Sequence, residues 1–397
     1  MTRHERKPGL IAGGGIGGLA AAVALARAGL PVVLLERSPQ FSEVGAGVQM
    51  GPNVTRILQA WGLGDALARV AAFPKQLQTR DAQTGRVLGT LSLGERAQAL
   101  YGAPYATIHR ADLHGLLLRA AQGEGADLRL GQTVRGWRET ADGLEVCNDS
   151  PQPLGVSALI GADGVWSATR QKLLGDEPPS FTGHLAYRSM VAQADLPGHL
   201  RTDQVTVWMG PRLHVVHYPV RRGEWLNVIA VVHGEKPANP QNWDHTANAH
   251  ILMQAMGAVG ADLRQRLEAI SDWRLWPLHD RAPVRAASEM AQGRVALVGD
   301  AAHPMRPYLA QGAGMAIEDA QVLAQCWGQG TGSVVQRLQA YADQRWARNA
   351  QVQARAIRNG QIFHAQGLVA MGRNLSMRLM GQRLMDLPWL YGQGPAL

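Results

Sequence analysis

"LIAGGGIGGLAAAVALARAGLPVVLLER", residues Leu10 to Arg37, decides the fold of this chain. Gly13, Gly15 and Gly18 have the G-x-G-x-x-G spacing, between an apolar stretch typical of a strand and an alanine-rich stretch typical of a helix. A glycine and a proline end the helix, and "VVLLE" then predicts a second buried parallel strand. Because glycine lacks a Cβ, the backbone can approach a pyrophosphate, whose charge the free N–H groups of the helix start stabilise. The unit predicts dinucleotide binding.

Two other interpretations of this stretch fail on its residues. The glycine pattern argues against a secretory signal, although a basic start and a small-residue run are present. Arg27 and the glycines break the apolar run before it reaches the roughly twenty residues of a membrane span.

Glu36 closes the second strand, where a carboxylate accepts the ribose hydroxyls of an adenosine. The contacts predicted in this unit are Gly13, Gly15, Ile16, Gly17, Gly18, Glu36 and Arg37.

Composition limits the class of protein. The 397 residues exceed the usual size of a single core, so two interlocked domains are expected. The net charge is +8, but the basic residues are scattered, which argues against nucleic-acid binding; they form either a solvated surface or a field that attracts anionic ligands. Cys147 and Cys326 stand far apart, which is typical of a reducing, cytoplasmic compartment. No metal-binding spacing of cysteine or histidine occurs, so no metal ion is expected.

The strand pattern divides the chain into an α/β part and an antiparallel part. Short buried strands recur in "VSALIGADG" and "RVALVGD", whereas residues 183–232 contain longer strands typical of an antiparallel sheet. "QLQTRDAQTGRVLGTLSL" alternates around Thr84-Gly85 and predicts a hairpin. We predict a discontinuous nucleotide-binding domain, a substrate-binding β-sheet domain and a helical C-terminal region, comprising residues 1–75, 100–180 and 280–330, residues 76–99 and 181–279, and residues 331–397, respectively.

Two further motifs follow strands of the α/β part. Asp163 and Gly164 lie at a strand end in "IGADGVWSATR", and Asp300 ends the strand of "VGDAAHPMRPYLAQGAGMAIEDA". Together with the glycine fingerprint and Arg110 of "IHRADLHGLL", their order and spacing resemble the class A flavoprotein monooxygenases. This aromatic-hydroxylase family includes para-hydroxybenzoate and salicylate hydroxylases, and the resemblance covers nearly the whole chain.

The resemblance implies a Rossmann-like FAD-binding domain of the para-hydroxybenzoate hydroxylase type, with FAD as cofactor. It implies that NAD(P)H and O2 are consumed and that a small phenolic aromatic or heteroaromatic compound, such as a hydroxybenzoate or hydroxynicotinate, is hydroxylated through a flavin C4a-hydroperoxide. No second fingerprint serves NAD(P)H, which binds transiently in this family. A helix start at the flavin would stabilise negative charge on the reduced ring. The further residues assigned to the cofactor are Val48, Arg110, Asp163, Asp300, Pro307, Gly312, Ala313 and Gly314.

A base is expected over the flavin, because removing a phenolic proton activates the ring. In "LHVVHYPV" the two-residue period of a strand places His214 and Tyr218 on one face and His217 on the other. The same pair at the same spacing resembles family members that hydroxylate a hydroxybenzoate or a hydroxynicotinate. We therefore predict His214 and Tyr218 as the catalytic pair.

Several alternatives stay open. His214 can instead be a packed strand histidine, Asp163 a helix cap, and Arg188 either a partner of a substrate carboxylate or part of an ion pair between domains. The chain can also be an epoxidase or quinone-pathway hydroxylase of the same fold, or a flavin-binding protein without turnover. We expect a monomer or homodimer without a membrane span. The predicted substrate pocket is Gln49, Arg188, Val205, Pro307 and Tyr308.

Overall fold

The computed structural model describes residues 7–41, 46–237, 245–329 and 331–397. Its strands are β1 Gly9–Ala12, β2 Val32–Glu36, β3 Gly47–Met50, β4 Gln76–Asp81, β5 Val87–Ser92, β6 Ala106–His109, β7 Asp127–Leu130, β8 Gly136–Thr140, β9 Gly143–Cys147, β10 Leu154–Val156, β11 Ala158–Gly161, β12 Ser180–Ala192, β13 Val205–Gly210, β14 Leu213–Val220, β15 Trp225–His233, β16 His245–Asn248, β17 Asp272–Asp280, β18 Ala291–Gln292 and β19 Val295–Leu297.

The α-helices alternate with these strands in the first part of the chain and dominate its end. They are α1 Ile16–Arg27, α2 Pro52–Ala60, α3 Gly64–Ala68, α4 Gly94–Tyr101, α5 Arg110–Gly123, α6 Ala168–Leu174, α7 Ala249–Met256, α8 Ala261–Glu268, α9 Gly312–Ala324, α10 Val334–Phe363, α11 Gly367–Met385 and α12 Pro388–Tyr391.

A mainly parallel sheet, in which only β18 runs antiparallel to its neighbour, carries the glycine fingerprint. Its strand order is β18-β19-β11-β1-β2-β7, and β1 pairs in parallel with both β2 and β11. Strands β1 and β11 are buried along their whole length because helices α1, α5 and α9 cover one face of the sheet and the three-stranded sheet of β8, β9 and β10 covers the other. The predicted α/β fold, with its buried parallel strands, is confirmed.

A second sheet of eight strands has the order β16-β17-β12-β15-β14-β13-β4-β5. Strands β12, β14, β15 and β17 pair antiparallel, whereas β13 and β4 run in parallel. The predicted hairpin around Thr84 and Gly85 is confirmed, since β4 and β5 pair antiparallel across it. Strands from both predicted parts of the substrate-binding domain thus share one sheet, while the domain boundaries themselves stay a prediction.

The two faces of β14 meet different surroundings. Val215 packs with Val228, Leu252 and Leu263 in a buried apolar cluster, beneath α7 and α8. The alternate residues of β14 point toward the parallel sheet. The period of two therefore assigns His217 and His214 to opposite sides of the sheet.

The end of the chain is helical, as predicted. Helix α10 begins in a capping box in which Ser333 and Gln336 satisfy each other's backbone N–H groups, and it runs for 30 residues. Helix α11 packs against β5, where a Cβ on Gly381 would lie 2.9 Å from the Cα of Gly89. Within the described ranges, every helix is too short or too polar to span a bilayer.

Candidate active site

The fingerprint glycines differ in what they do. Gly13 has a φ of +109°, and a Cβ there would lie 2.5 Å from the carbonyl oxygen of Ala162, so this turn requires glycine. A Cβ on Gly18 would overlap the carbonyl oxygen of Gly13, so this glycine permits close packing of helix and strand. A Cβ on Gly15 would meet no atom within 4 Å. Open space at the start of α1 is what a pyrophosphate needs.

Glu36, at the end of β2, is held in place by backbone groups of the glycine fingerprint and of the residues that follow the strand. Its carboxylate accepts hydrogen bonds from the backbone N–H groups of Gly14, at 2.6 Å, and Ser38, at 2.8 Å. A carboxylate has about four acceptor positions, so it retains capacity for ribose hydroxyls. Arg37 beside it is exposed.

One cleft collects residues from the fingerprint, from the start of α9 and from β14 and β15. Among the predicted cofactor and substrate residues it is lined by Gly15, Ile16, Gly17, Val48, Gln49, Arg110, His214, Tyr218, Asp300, Pro307, Gly312 and Ala313. The parallel sheet and the eight-stranded sheet thus contribute opposite walls. The cleft is the place where a flavin and a substrate could meet.

The side of the cleft formed by the fingerprint and the start of α9 is called the flavin wall below, and the side formed by β14 and β15 the substrate wall. Asp300 lies at the flavin wall. Its side chain is exposed to the cleft, yet the surrounding protein excludes enough water to raise the pKa of the carboxyl, while Arg110 acts in the opposite direction. A carboxylate facing a cleft next to an arginine can accept a hydroxyl hydrogen bond from a bound ribityl chain.

Helix α9 presents unsatisfied backbone donors beside Asp300. Gln311 at its N-cap makes no side-chain capping hydrogen bond, and Gly312 and Ala313 line the cleft. A Cβ on Gly314 would lie 2.8 Å from Val54, so this glycine lets α9 pack against α2. The free N–H groups and the positive end of the helix fit the pyrimidine edge of a flavin.

A buried ion cluster fixes α9 from behind. Glu318 and Asp319 accept hydrogen bonds from the guanidinium of Arg345 on α10, each at 2.8 Å, and Asp319 also bonds His303 at 2.5 Å. Burial alone would raise the pKa of Asp319, but His303 and Arg345 outweigh it and lower that pKa. The cluster holds the flavin-side helix in position without contacting the cleft.

Asp163 has a local structural role. Its carboxylate accepts hydrogen bonds from the Ser167 hydroxyl at 2.5 Å and from the backbone N–H of Thr169 at 3.0 Å. Ser167 itself is the N-cap of α6. These contacts agree with the capping alternative for Asp163, while its neighbours Ala162 and Gly164 line the cleft.

On the substrate wall, His214, Val216 and Tyr218 line the cleft together, whereas His217 lines a cavity on the other face of the sheet. Tyr218 fits because position 47 is glycine: a Cβ on Gly47 would lie 2.8 Å from the Tyr218 hydroxyl oxygen. Burial raises the pKa of Tyr218, and Gln49 partly offsets this. Tyr218 is therefore a protonated hydroxyl at neutral pH.

A chain of three histidines leads away from the cleft. A hydrogen bond of 2.7 Å joins Nδ1 of His214 to Nε2 of His364, and one of 2.9 Å joins Nδ1 of His364 to Nε2 of His233. Burial, and then His184, lowers the pKa of His214 to about 3. Burial, and then His214, lowers the pKa of His364 to about 2. The first two rings are thus neutral at neutral pH, and the third, His233, is half-buried.

Tyr308 and His184 back this chain. A hydrogen bond of 2.5 Å joins the Tyr308 hydroxyl to Nδ1 of His184, and the centroid of the Tyr308 ring lies 4.9 Å from that of the His214 ring. Ring nitrogens of His184, His233 and His364 all lie within 4.8 Å of one another, a donor set that could hold a metal ion. The sequence spacing gave no sign of this cluster, so the expected absence of a metal stays a prediction.

Comparisons with known proteins agree with this geometry. The family model described as an FAD binding domain matches residues 6–356. The 3-hydroxybenzoate 6-hydroxylase of Klebsiella oxytoca is 36% identical over 387 residues, which are 96% of each chain. The 6-hydroxynicotinate 3-monooxygenase of Bordetella bronchiseptica is 35% identical over 346 residues, covering 86% of this chain and 88% of that one. The structure of a salicylate hydroxylase substrate complex has a TM-score of 0.79 at 27% identity, with 99% of this chain and all of that one covered.

The chain belongs to the family of FAD-dependent aromatic monooxygenases. Its fold is the one that the sequence predicts, and FAD is its cofactor. The residues present fit FAD, since open space at Gly15, an acidic side chain at Asp300 and free N–H groups at the start of α9 converge on one cleft. NAD(P)H is the co-substrate typical of these hydroxylases.

Three predicted pocket residues of this monooxygenase lie outside the cleft lining. Arg188 is buried, with its guanidinium 3.9 Å from the ring centroid of Trp276. Val205 packs with Tyr218 in an apolar cluster, and Tyr308 lies behind His214. Their contact with a substrate stays a prediction.

Sequence reasoning missed His364 and His233. His364 follows α10 in a region interpreted as helical and arginine-rich, and His233 ends β15. The sequence signal that could have indicated them was the repeated occurrence of histidine on β14 and β15, the strands that form the roof, that is, the substrate side, of the cleft. What the sequence could not supply was the position of the end of α10 against that roof, where the N–H of Arg212 donates to the carbonyl of His364 at 3.2 Å.

Proposed function

We propose that this monooxygenase hydroxylates a small phenolic aromatic acid, and that His214 removes the phenolic proton with Tyr218 beside it. The observation that carries the proposal is the shared position of both side chains in the cleft that also holds the FAD-binding residues. The named relatives act on a hydroxybenzoate and a hydroxynicotinate, which supports an aromatic acid as substrate. Val216, Ile229 and Val231 add an apolar wall for the ring.

The cofactor would be held by this chain's own groups. Gly15 and the start of α1 would take the pyrophosphate, Asp300 the ribityl chain, and Gly312 and Ala313 the pyrimidine edge. Bound FAD, reduced by NAD(P)H, supplies activated oxygen from O2. Water must be excluded from the part of the cleft where oxygen is transferred, and the apolar face of the strands over the cleft contributes to that exclusion.

The histidine chain explains how a base with so low a pKa can work. With hydrogens on Nδ1 of His214, His364 and His233, the Nε2 atom of His214 is free to accept the phenolic proton. His214 then passes its Nδ1 proton to His364, His364 passes its own to His233, and half-buried His233 releases one to solvent. Because a buried imidazolium is unfavourable, the charge does not stay on His214. Each ring ends neutral, in its other tautomer.

The test is a screen of the FAD-loaded protein. Hydroxybenzoates and hydroxynicotinates are each paired with the acid that lacks the hydroxyl, and NAD(P)H oxidation is measured together with product. We expect one phenolic acid to stimulate oxidation with a matched amount of hydroxylated product, while its partner gives no product. Stimulation with equal product from a substrate without a hydroxyl would contradict a role for a phenolic base.

We also infer a cytoplasmic location and a monomer or homodimer. Cys147 and Cys326 are both free thiols, which supports a reducing compartment. Sedimentation of the FAD-loaded protein tests the oligomeric state.

A further inference from the structure

A second cavity, of about 350 Å³, lies on the face of the eight-stranded sheet that points away from the flavin cleft. It opens to solvent and is lined by residues of strands β4, β13 and β14, of the segment 199–204 and of helix α8. The side chains that matter here are Arg80, Thr206, Trp208, His217, Asp262 and Arg266. No residue of this cavity lines the flavin cleft.

The strand register brings several polar side chains together on this face of the sheet. Gln78, Thr206 and His217 are register partners across β4, β13 and β14. Arg80 is the partner of Trp208 and stacks over its ring at 5.3 Å. The neighbouring part of the same face is apolar core, so this polar row interrupts a surface that otherwise packs against helices.

Several buried donors in this row have no partner. Trp208 and His217 are each 2% exposed, and neither the indole N–H of Trp208 nor either ring nitrogen of His217 makes a hydrogen bond within the described residues. The Nε of Arg266 is likewise buried without a partner. An unsatisfied buried polar group is costly, and several around one cavity indicate a place for an acceptor.

The charges around the cavity are unbalanced. Three arginines, Arg80, Arg201 and Arg266, face one carboxylate, Asp262. All three arginines donate to neutral oxygens: Arg201 to the carbonyls of Ala194 and Leu196, Arg266 to the carbonyl of Leu200, and Arg80 to the side chain of Gln78 and the carbonyl of Gly85. Within the described residues, neither Arg80 nor Arg266 forms an ion pair. Burial, and then Arg80, lowers the pKa of Arg266 to about 10. A bound anion would offset this repulsion.

We propose that this cavity is a binding site for a small oxyanion, a phosphate or a carboxylate, held by Arg80 and Arg266 with the N–H groups of Trp208 and His217. Oxygen acceptors match the indole N–H of Trp208, the Nε–H of Arg266 and the single N–H of the neutral His217 ring, whose other nitrogen can only accept. The site is independent of the proposed substrate and is separated from it by the thickness of one sheet. Strand β14 connects the two, since it carries His217 on one face and His214 on the other.

The test titrates the FAD-loaded protein with inorganic phosphate, and separately with acetate, by calorimetry at constant ionic strength set with sodium chloride. Two charge-assisted contacts give an expected phosphate Kd of about 1 mM or tighter. Arg266→Gln should weaken binding about 10- to 100-fold, the loss typical of one charged hydrogen bond. Arg264→Gln is the matched control, because it removes the same charge from an exposed position of the same helix and should leave the Kd unchanged.

A second variant guards against misfolding. Trp208→Phe keeps the ring beneath Arg80 and removes the N–H, so it should weaken phosphate binding with normal FAD content and melting temperature. Binding of phosphate alone identifies phosphate-bearing ligands, and binding of both ions includes carboxylates; either supports the site. Two results would overturn the proposal. One is equal phosphate affinity in the wild type, Arg266→Gln and Trp208→Phe; the other is no heat of binding at phosphate concentrations tens of times the expected Kd.

Discussion

The flavin wall of the cleft is built from two short stretches of sequence, the glycine fingerprint and the segment from Asp300 to Ala313, whereas the substrate wall depends on side chains that meet singly from distant parts of the chain. Gly13, Gly15 and Glu36 act within one strand-helix-strand unit. His214 and His364 meet although they are 150 positions apart in the chain, and His233 and His364 although they are 131 positions apart. The cofactor side depends on local conformation, and the substrate side depends on how α10 docks on the second sheet.

The largest effect is expected at His214, on the substrate wall. His214→Ala should slow oxygen transfer by about 10²- to 10⁴-fold, the usual contribution of a positioned base. FAD content should barely change, because the residue belongs to the other wall. NAD(P)H oxidation should continue and release hydrogen peroxide instead of product, which a peroxide assay detects. Wild-type rate and coupling on the authentic substrate would make His214 a structural histidine.

Asp300 tests the flavin wall alone. Asp300→Ala should weaken FAD binding by about 10- to 100-fold, because one charge-assisted hydrogen bond is lost. Flavin absorbance after gel filtration, followed by FAD titration of the stripped protein, measures this effect. Asp300→Asn keeps a hydrogen-bond acceptor, so its affinity for FAD should lie between those of the wild type and Asp300→Ala. Full retention of FAD with wild-type affinity in Asp300→Ala would separate Asp300 from the cofactor.

His364 tests whether the histidine chain works as a unit. His364→Ala should slow product formation by roughly 10-fold, less than loss of the base itself, because water can still accept the proton. Added imidazole should restore part of the rate by filling the vacated position, and KM should change little. A slow variant that imidazole does not rescue, with a raised KM, would indicate a packing defect instead of a broken proton path.

The smallest effect concerns stability against pH. Burial lowers the pKa of His364 in the folded protein to about 2, so between about pH 6.5 and that value the unfolded chain binds more protons. Stability therefore falls as pH falls through this window. Relative to His364→Ala, the wild type should lose about 1.4 kcal/mol of unfolding free energy between pH 7.5 and pH 5.5. Parallel denaturant curves at the two pH values measure the difference, and an unchanged gap would show that His364 is protonated in the folded state.

The same contrast sets how much could be predicted from sequence. The fingerprint, the parallel strands and the opposite faces of β14 follow from spacing and periodicity, so Gly13, His214 and His217 were placed correctly by local rules. His364 could not be placed, because its position depends on the docking of α10. Arg188 stacks on Trp276, a partner from the neighbouring strand that no spacing rule identifies, and its role toward a substrate carboxylate or in an ion pair between domains stays a prediction.

The ion cluster between α9 and α10 has a further consequence for which mutations the chain can tolerate. Helix α10 is anchored at Arg345 beneath the flavin-side helix and ends next to His364. Inserting or deleting one residue between these points would turn the end of the helix by about 100° and move His364 away from His214. Length variation between Arg345 and His364 should therefore slow product formation at least as much as His364→Ala does, while sparing the flavin site.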